Sequence, residues 1–322
     1  GLGDVYKRQY VGNGKWLGID LQENMVIADS WNIINLNSFM INNNYNIIHS
    51  YFYSYYFNAK FSCARILTIH DLMPRMKMYF GENWSESVHW MDTIIAVSEY
   101  TKSDIINTYN VSPDIIKVVY PGLFKLDVKD SGEIGDRIRK IVKKPYIMTV
   151  STLRAYKNML GLVKAFCLFK ELNANTDINL IIVGKNNKSN DVIKEIMNFC
   201  GERRDIIFTG YVTDDELVYL YKNSIATGFV SFYEGFGLPV LESLSYGKTV
   251  ICSDQTSIPE VGGDAVEYCN PYDIESIENA IEKVVLNDNY RQELEKRALI
   301  QAAKFSYSKA AEETLKIYNL FK

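Results

Sequence analysis

The chain has 322 residues, 47% of them hydrophobic and 23% charged, which is about twice the length of a typical single domain and enough apolar material for two separate cores, so global disorder is excluded. Its 35 basic and 39 acidic residues leave a net charge of −4. That charge divides evenly between residues 1–122 and 123–322, so neither half has the basic field that a nucleic-acid partner would require.

In chain order, residues 1–9 (Gly1 to Gln9) show no helical or strand period and read as a non-native leader. Apolar runs of strand length follow at Ile47-Ile48, Ile66–Ile69, Ile94–Val97 and Lys117–Tyr120, and residues 10–122 form the expected N-terminal domain. Tyr120-Pro121-Gly122 closes this series, and the polar stretch after it reads as a linker over 123–142. A second series runs through Tyr146–Val150, Asn179–Val183, Ile206–Phe208, Thr227–Phe232 and Thr249–Cys252, and residues 143–305 form the expected C-terminal domain. A helix near Asn158 places Leu160, Val163 and Phe166 on one face, and Thr213-Asp-Asp-Glu216 is a capping box that opens another. Residues 306–322 are expected to form a C-terminal helix packing back toward the N-terminal domain. Strands alternating with helices predict an α/β chain of two doubly wound parallel sheets, with ligands held at the strands' carboxyl ends in a shared cleft.

The five cysteines are odd in number and widely spaced, which indicates neither a disulfide framework nor a zinc site and fits a reducing, cytoplasmic setting. No run of about eighteen apolar residues is present to span a membrane.

The richest motif is Ser231-Phe-Tyr-Glu-Gly-Phe-Gly-Leu-Pro-Val-Leu-Glu-Ser243. An apolar strand ends in an acid, passes a glycine-rich turn and continues into a helix with Pro239 in its first turn. Gly235 and Gly237 let backbone approach a ligand, and amides at a helix start favour an anion such as a diphosphate. Glu234 at the strand tip and Glu242 one turn into the helix then offer two carboxylates to sugar hydroxyls. The same pattern equally fits an ordinary strand-turn-helix with two solvated glutamates.

This stretch resembles the family 4 glycosyltransferases with the GT-B fold, which carry two glutamates spaced as Glu234 and Glu242 are. The resemblance extends through Ala96–Thr101, Val119–Gly122, Lys157-Asn158, Leu180–Gly184, Phe208–Val212, Gly247–Ser253 and Ser257–Ala265. It implies two Rossmann-like domains facing a cleft and a retaining hexosyltransferase, with mannose from GDP-mannose as the best donor, acting in surface polysaccharide biosynthesis. The acceptor is then a saccharide or a lipid-linked one, with contact at the inner face of the cytoplasmic membrane. By the same resemblance Glu242 holds the donor ribose, Glu234 lies by the donor sugar, and Gly235, Phe236, Gly237 and Leu238 line the sugar and distal phosphate. Lys157 neutralises the diphosphate, with Arg154 as a further donor-binding residue, and His70 at the end of Ile66–Ile69 orients or handles a proton. His49 is a weaker acceptor-side candidate, and His89 is expected to be structural. No cofactor and no metal are implied, because Lys157 and the helix start supply positive charge.

Gly247-Lys248-Thr249 is not a P-loop, since Glu242 stands where a glycine is needed and a strand follows instead of a helix. Gly12, Gly14 and Gly18 miss the dinucleotide fingerprint by one residue. The aromatic run Tyr51–Phe57 reads as buried packing. Tyr156 stands where the family has arginine, and the family's first strand, loop and helix have no counterpart before Tyr45, which implies a truncated reading frame. A silent sugar-nucleotide binder and a nucleotide-sugar epimerase are the alternatives.

Overall fold

The structure, a computed structural model, describes residues 15–16, 19–20, 46–50, 63–72, 88–123, 134–184, 191–201 and 203–321. The leader 1–9, the Gly12/Gly14/Gly18 look-alike and the aromatic run 51–57 lie outside them. The chain forms two compact units: residues 1–122 with 305–322, and residues 123–304.

In the first unit, β1 (Lys15–Trp16) and β2 (Ile19–Asp20) pair antiparallel. The main sheet is parallel in the order β3-β4-β5-β6, formed by Ile47–Ser50, Ala64–Ile69, Thr93–Ala96 and Ile116–Val118. Successive side chains on a strand point to opposite faces. Leu67, Ile69, Ile94 and Ala96 therefore bury with Ile105 of α1 (Glu99–Tyr109), whereas Ile66 and Ile95 bury against Ile317 of the last helix. Ser98 caps α1 by accepting from the Thr101 amide.

In the second unit six parallel strands run in the order β12-β11-β10-β7-β8-β9. They are β7 (Tyr146–Val150), β8 (Asn179–Val183), β9 (Ile206–Gly210), β10 (Ala226–Phe229), β11 (Val250–Ser253) and β12 (Glu267–Cys269). One face packs on α3 (Met159–Leu172), α4 (Asp191–Cys200) and α8 (Ile274–Leu286), through Ile147, Leu180 and Ile182. The other, through Tyr146, Met148, Ile181 and Val183, packs on α2 (Asp136–Ile141) and α5 (Asp214–Asn223). The remaining α-helices among the described residues are α6 (Leu238–Ser245), α7 (Ile258–Gly262) and α9 (Asp288–Ala302) in this unit and α10 (Tyr307–Tyr318) in the first. Both halves of the Thr213–Glu216 capping box are formed at the start of α5.

The stretch read as a linker, 123–142, belongs to the second unit and carries α2. Its Ile138 is fully buried, and Ile134 and Ile141 pack on the same cluster. Ile138 and Ile141, three residues apart, share one face of α2, and Ile134 packs on the same cluster from just before the N-cap Gly135, which together outweigh the polar composition around them. At the far end Phe305 leaves the second unit for the first, where its ring meets Tyr120 edge-on at 5.6 Å. Gly122 lies against the start of α10, where a β-carbon would fall 2.1 Å from the Tyr307 nitrogen.

Candidate functional site

Lys157 and Glu234 come from neighbouring parallel strands, since β7 pairs with β10 in the register Ile147 to Ala226. Beyond β7 the chain makes a 3-10 turn, Ala155–Lys157, and then Asn158 takes the left-handed conformation at φ 50° before α3 begins. Asparagine tolerates that conformation better than most residues. Its buried side chain donates from Nδ2 to the Pro271 carbonyl at 2.7 Å. Beyond β10, the Phe232 amide donates to the Tyr156 carbonyl at 2.9 Å, which draws the chain out of the sheet and ends the expected strand Thr227–Phe232 at Phe229. The loops after β7, β10 and β12 are thus tied together at the carboxyl edge of the sheet, and Tyr272 of the third loop stacks on Phe232 at 4.8 Å.

On this frame the Lys157 ammonium lies 2.5 Å from Glu234 Oε1, with side chains only 15% and 12% exposed. Its Nζ sits 5.0 Å from the Tyr156 ring centre and 5.4 Å from that of Phe229, which gives the cation two aromatic faces as well as a carboxylate. The Glu234 backbone is gripped on both sides, its amide donating to Thr256 Oγ1 at 3.2 Å and its carbonyl accepting from Ser257 Oγ at 2.9 Å. Gly235, Phe236 and Gly237 follow, all buried, and lead into α6 with Leu238 first and Pro239 second.

Gly237 is the N-cap of α6 at φ 103°, and a β-carbon there would fall 2.7 Å from Ile258 Cδ1. A glycine cap supplies no side-chain acceptor of its own, so the helix start keeps its preference for an external anion. Gly237→Ala is expected to destabilise the fold by about 1–3 kcal/mol, from the φ and the contact together. A denaturant midpoint unchanged by this substitution would contradict that strain.

Glu242 lies on α6, half-buried, and its Oε2 accepts from the Tyr221 hydroxyl at 2.7 Å. Tyr221, on α5, is fully buried and stacks on Tyr246 at 5.7 Å. Burial and the Glu242 carboxylate push the Tyr221 phenol well above its ordinary pKa, so it stays a donor. Of the residues singled out in the sequence, the structure thus brings Lys157 to Glu234, while Glu242 is held by Tyr221. Arg154 is exposed one residue before the 3-10 turn.

In the first unit His70 follows β4 directly and is half-buried. His49, on β3, engages Tyr318 Oη through Nδ1 at 2.6 Å and Thr68 Oγ1 through Nε2 at 2.8 Å. Burial, with a smaller contribution from His70, lowers its pKa from 6.5 to about 3. His49 is thus a neutral hydrogen-bonding link between the sheet and α10. Below pH 6.5 the unfolded chain gains a proton that native His49 refuses, so stability falls as the pH drops from 6.5 toward 3, by about 1.4 kcal/mol per pH unit at most. His49→Gln is expected to flatten that part of a melting-temperature titration, and an unchanged acid limb would contradict it. His89 is exposed in the turn before β5.

Tyr221 and Thr256 escaped the sequence reading, and Asn158 and Ser257 entered it only as parts of matched stretches, with no role assigned. For Asn158 the signal was its type, an asparagine between a 3-10 turn and an apolar helix. Tyr221 is 21 residues from Glu242 and carries no local signal. Among the described residues no group of three or more His, Cys, Asp or Glu side chains is placed to hold a metal ion. No helix among them is long and apolar enough to cross a membrane. A surface recess of about 690 Å³ opens along α8 and α9, beside Glu282, Lys283 and Asp288, and none of the residues above lines it.

Residues 131–301 match the family described as Glycosyl transferases group 1, and residues 21–123 match Glycosyltransferase Family 4. The chain is 30% identical over 259 residues to the O-antigen chain mannosyltransferase B of Escherichia coli, covering 79% of this chain and 68% of that protein. In three dimensions it resembles a glycosyltransferase from Rickettsia africae with a TM-score of 0.71 and 18% identity, over 92% of this chain and 84% of that one. It also resembles Anabaena Alr3699/HepE, solved in complex with UDP and glucose, with a TM-score of 0.66 and 18% identity over 80% and 72% of the two chains. With two parallel-sheet units in tandem and more than half its length matching one family, the chain belongs to the group 1 glycosyltransferases of family 4 and has the GT-B fold.

Proposed function

We propose that this chain is a retaining hexosyltransferase that moves mannose from GDP-mannose to a saccharide or lipid-linked acceptor in surface polysaccharide biosynthesis. The observation that carries the reading is the Lys157–Glu234 pair, 2.5 Å apart and largely buried beside a glycine turn that opens a helix. Support for mannose comes from the Escherichia coli relative, described as an O-antigen chain mannosyltransferase, and support for a nucleoside diphosphate donor from the fold neighbour that was solved with UDP and glucose. Five free cysteines, all buried, suit a reducing cytoplasm. A lipid-linked acceptor would bring the enzyme to the membrane's inner face.

In this reading the bond between the sugar C1 and the diphosphate oxygen breaks, and its electron pair leaves with the diphosphate. The acceptor hydroxyl attacks C1 from the same face, so the anomeric configuration is kept, and its proton passes to the departing phosphate oxygen. Charge develops on that oxygen. The Lys157 ammonium and the amides from Gly235 to Gly237 are the groups assigned to meet it, and in a water-poor site such donors count for more than in solvent. Glu242 accepts from the ribose hydroxyls. His70 orients the acceptor side, and Arg154 is a peripheral donor contact. No cofactor or metal has a role in this scheme.

Before donor binds, Glu234 neutralises Lys157. A diphosphate then competes for the same ammonium, and as Lys157 turns to it the Glu234 carboxylate becomes an acceptor for the sugar hydroxyls. The test is a melting-temperature screen of GDP, UDP and their hexose derivatives, followed by transfer assays in which NMR reads the anomeric configuration of the product. GDP-mannose raising the melting temperature, with an α-linked product, is expected. Stabilisation by none of the nucleotides, or an inverted product, would refute the reading. A binder without transfer activity is the second reading, favoured by Tyr156 beside Lys157 where the family carries arginine, and binding without turnover would select it.

A further inference from the structure

We infer that Tyr221 is a positioning residue for the nucleotide ribose: its buried hydroxyl fixes the carboxylate of Glu242 in the orientation that receives the sugar's vicinal hydroxyls. This rests on the reading in which Glu242 holds the donor ribose.

Tyr221 has 1% of its surface exposed, and a phenol taken out of water needs a partner for its hydroxyl. The fold could have offered a backbone carbonyl, as it does for Tyr146, whose hydroxyl donates to Leu220 at 2.8 Å. Instead the Tyr221 hydroxyl donates to Glu242 Oε2 at 2.7 Å, from a different helix and across 21 residues of sequence. Its ring is held in turn by Tyr246, stacked at 5.7 Å with the planes 23° apart. Tyr246 is the C-cap of α6, four residues after Glu242, so the residue that sets the ring and the residue the ring sets are close together at the end of that helix.

An unrestrained glutamate side chain on a helix samples several rotamers, and ordering it on binding costs affinity. With Oε2 held by Tyr221, that ordering is complete before the nucleotide arrives. A carboxylate has about four lone-pair sites, so accepting from a phenol is compatible with accepting from a ribose diol. Because the phenol resists ionisation, its restraint persists across the physiological pH range.

The experiment measures the dissociation constants of GDP and 2′,3′-dideoxy-GDP for the full chain and for Tyr221→Phe, Glu242→Gln and the double variant. The expected result is that Tyr221→Phe weakens GDP by about 2- to 12-fold, the range for ordering one rotamer-rich side chain on binding. The dideoxy analogue should be hardly affected, so the preference for an intact ribose shrinks. The double variant should bind GDP no more weakly than Glu242→Gln alone, because the hydroxyl acts through that carboxylate. A purely structural role predicts equal loss for both nucleotides, or single effects that multiply in the double variant, and either outcome overturns the inference. If Glu242→Gln itself leaves the ribose preference intact, the failure lies with the ribose assignment of Glu242. If only Tyr221→Phe leaves it intact, the failure is that of the positioning role. Should Tyr221→Phe not fold, 3-fluorotyrosine at position 221 keeps the shape and acidifies the hydroxyl; an unchanged ratio of the two dissociation constants would then count against the proposal.

Discussion

Lys157→Ala is expected to lower kcat for sugar transfer by about 10²- to 10³-fold, the range seen when one preorganised charge-stabilising donor is removed. Binding of the nucleoside diphosphate should weaken by much less, because the charge on the leaving diphosphate is greatest in the transition state and only an interaction that strengthens there accelerates the chemistry. The geometry supports a role of this size. The ammonium is largely buried, 2.5 Å from Glu234 and over the rings of Tyr156 and Phe229. Single-turnover rates and nucleotide dissociation constants, measured side by side, separate the two effects. An unaltered rate would remove Lys157 from the mechanism.

Glu234→Gln is expected to act in opposite directions on binding and turnover. In the absence of donor the carboxylate is the anionic partner of Lys157, so the diphosphate must compete with it. Without that carboxylate the cation is left uncompensated in a site where both side chains are under one-sixth exposed, which lowers the melting temperature of the free protein. A bound diphosphate restores the compensation. GDP affinity is therefore expected to rise about 3- to 10-fold, while transfer slows by at least about tenfold through loss of the acceptor for the sugar hydroxyls. Glu242→Ala should instead weaken GDP. Isothermal titration of the two variants against the parent decides the sign. Weakened GDP binding in Glu234→Gln would mean that the glutamate contacts the nucleotide directly instead of competing with it.

Most of the architecture was legible because buried parallel strands are continuous apolar runs. Tyr146–Val150 and Asn179–Val183 have the bounds their composition suggests. The three-residue β12 and the helix α9 were not anticipated. The first is too short to show a period, and the second buries only a narrow stripe of Leu294, Ala298, Gln301 and Ala302 within a polar sequence. The helix α2 was hidden for the same reason, its isoleucines being diluted by charge.

At the site, Lys157 and Glu234 were identifiable from motif and strand position, since tips of adjacent parallel strands meet at one edge. What the sequence could not show is that the two residues pair with each other. Nor could it show that Phe232, Asn158 and Pro271 tie three loops into the frame that holds the lysine. Contacts across 77 residues, as between Lys157 and Glu234, and across 21, as between Tyr221 and Glu242, depend on strand order and helix packing, which no local pattern encodes.

The most direct measurement is a crystal structure of the chain with GDP bound. The expected result is a phosphate oxygen about 2.7–3.2 Å from Lys157 Nζ, with the amides of Gly235 to Gly237 directed at the diphosphate, the ribose hydroxyls on Glu242 and the Lys157–Glu234 contact lengthened. A nucleotide bound with its phosphates away from this turn, while Lys157 stays on Glu234, would contradict it.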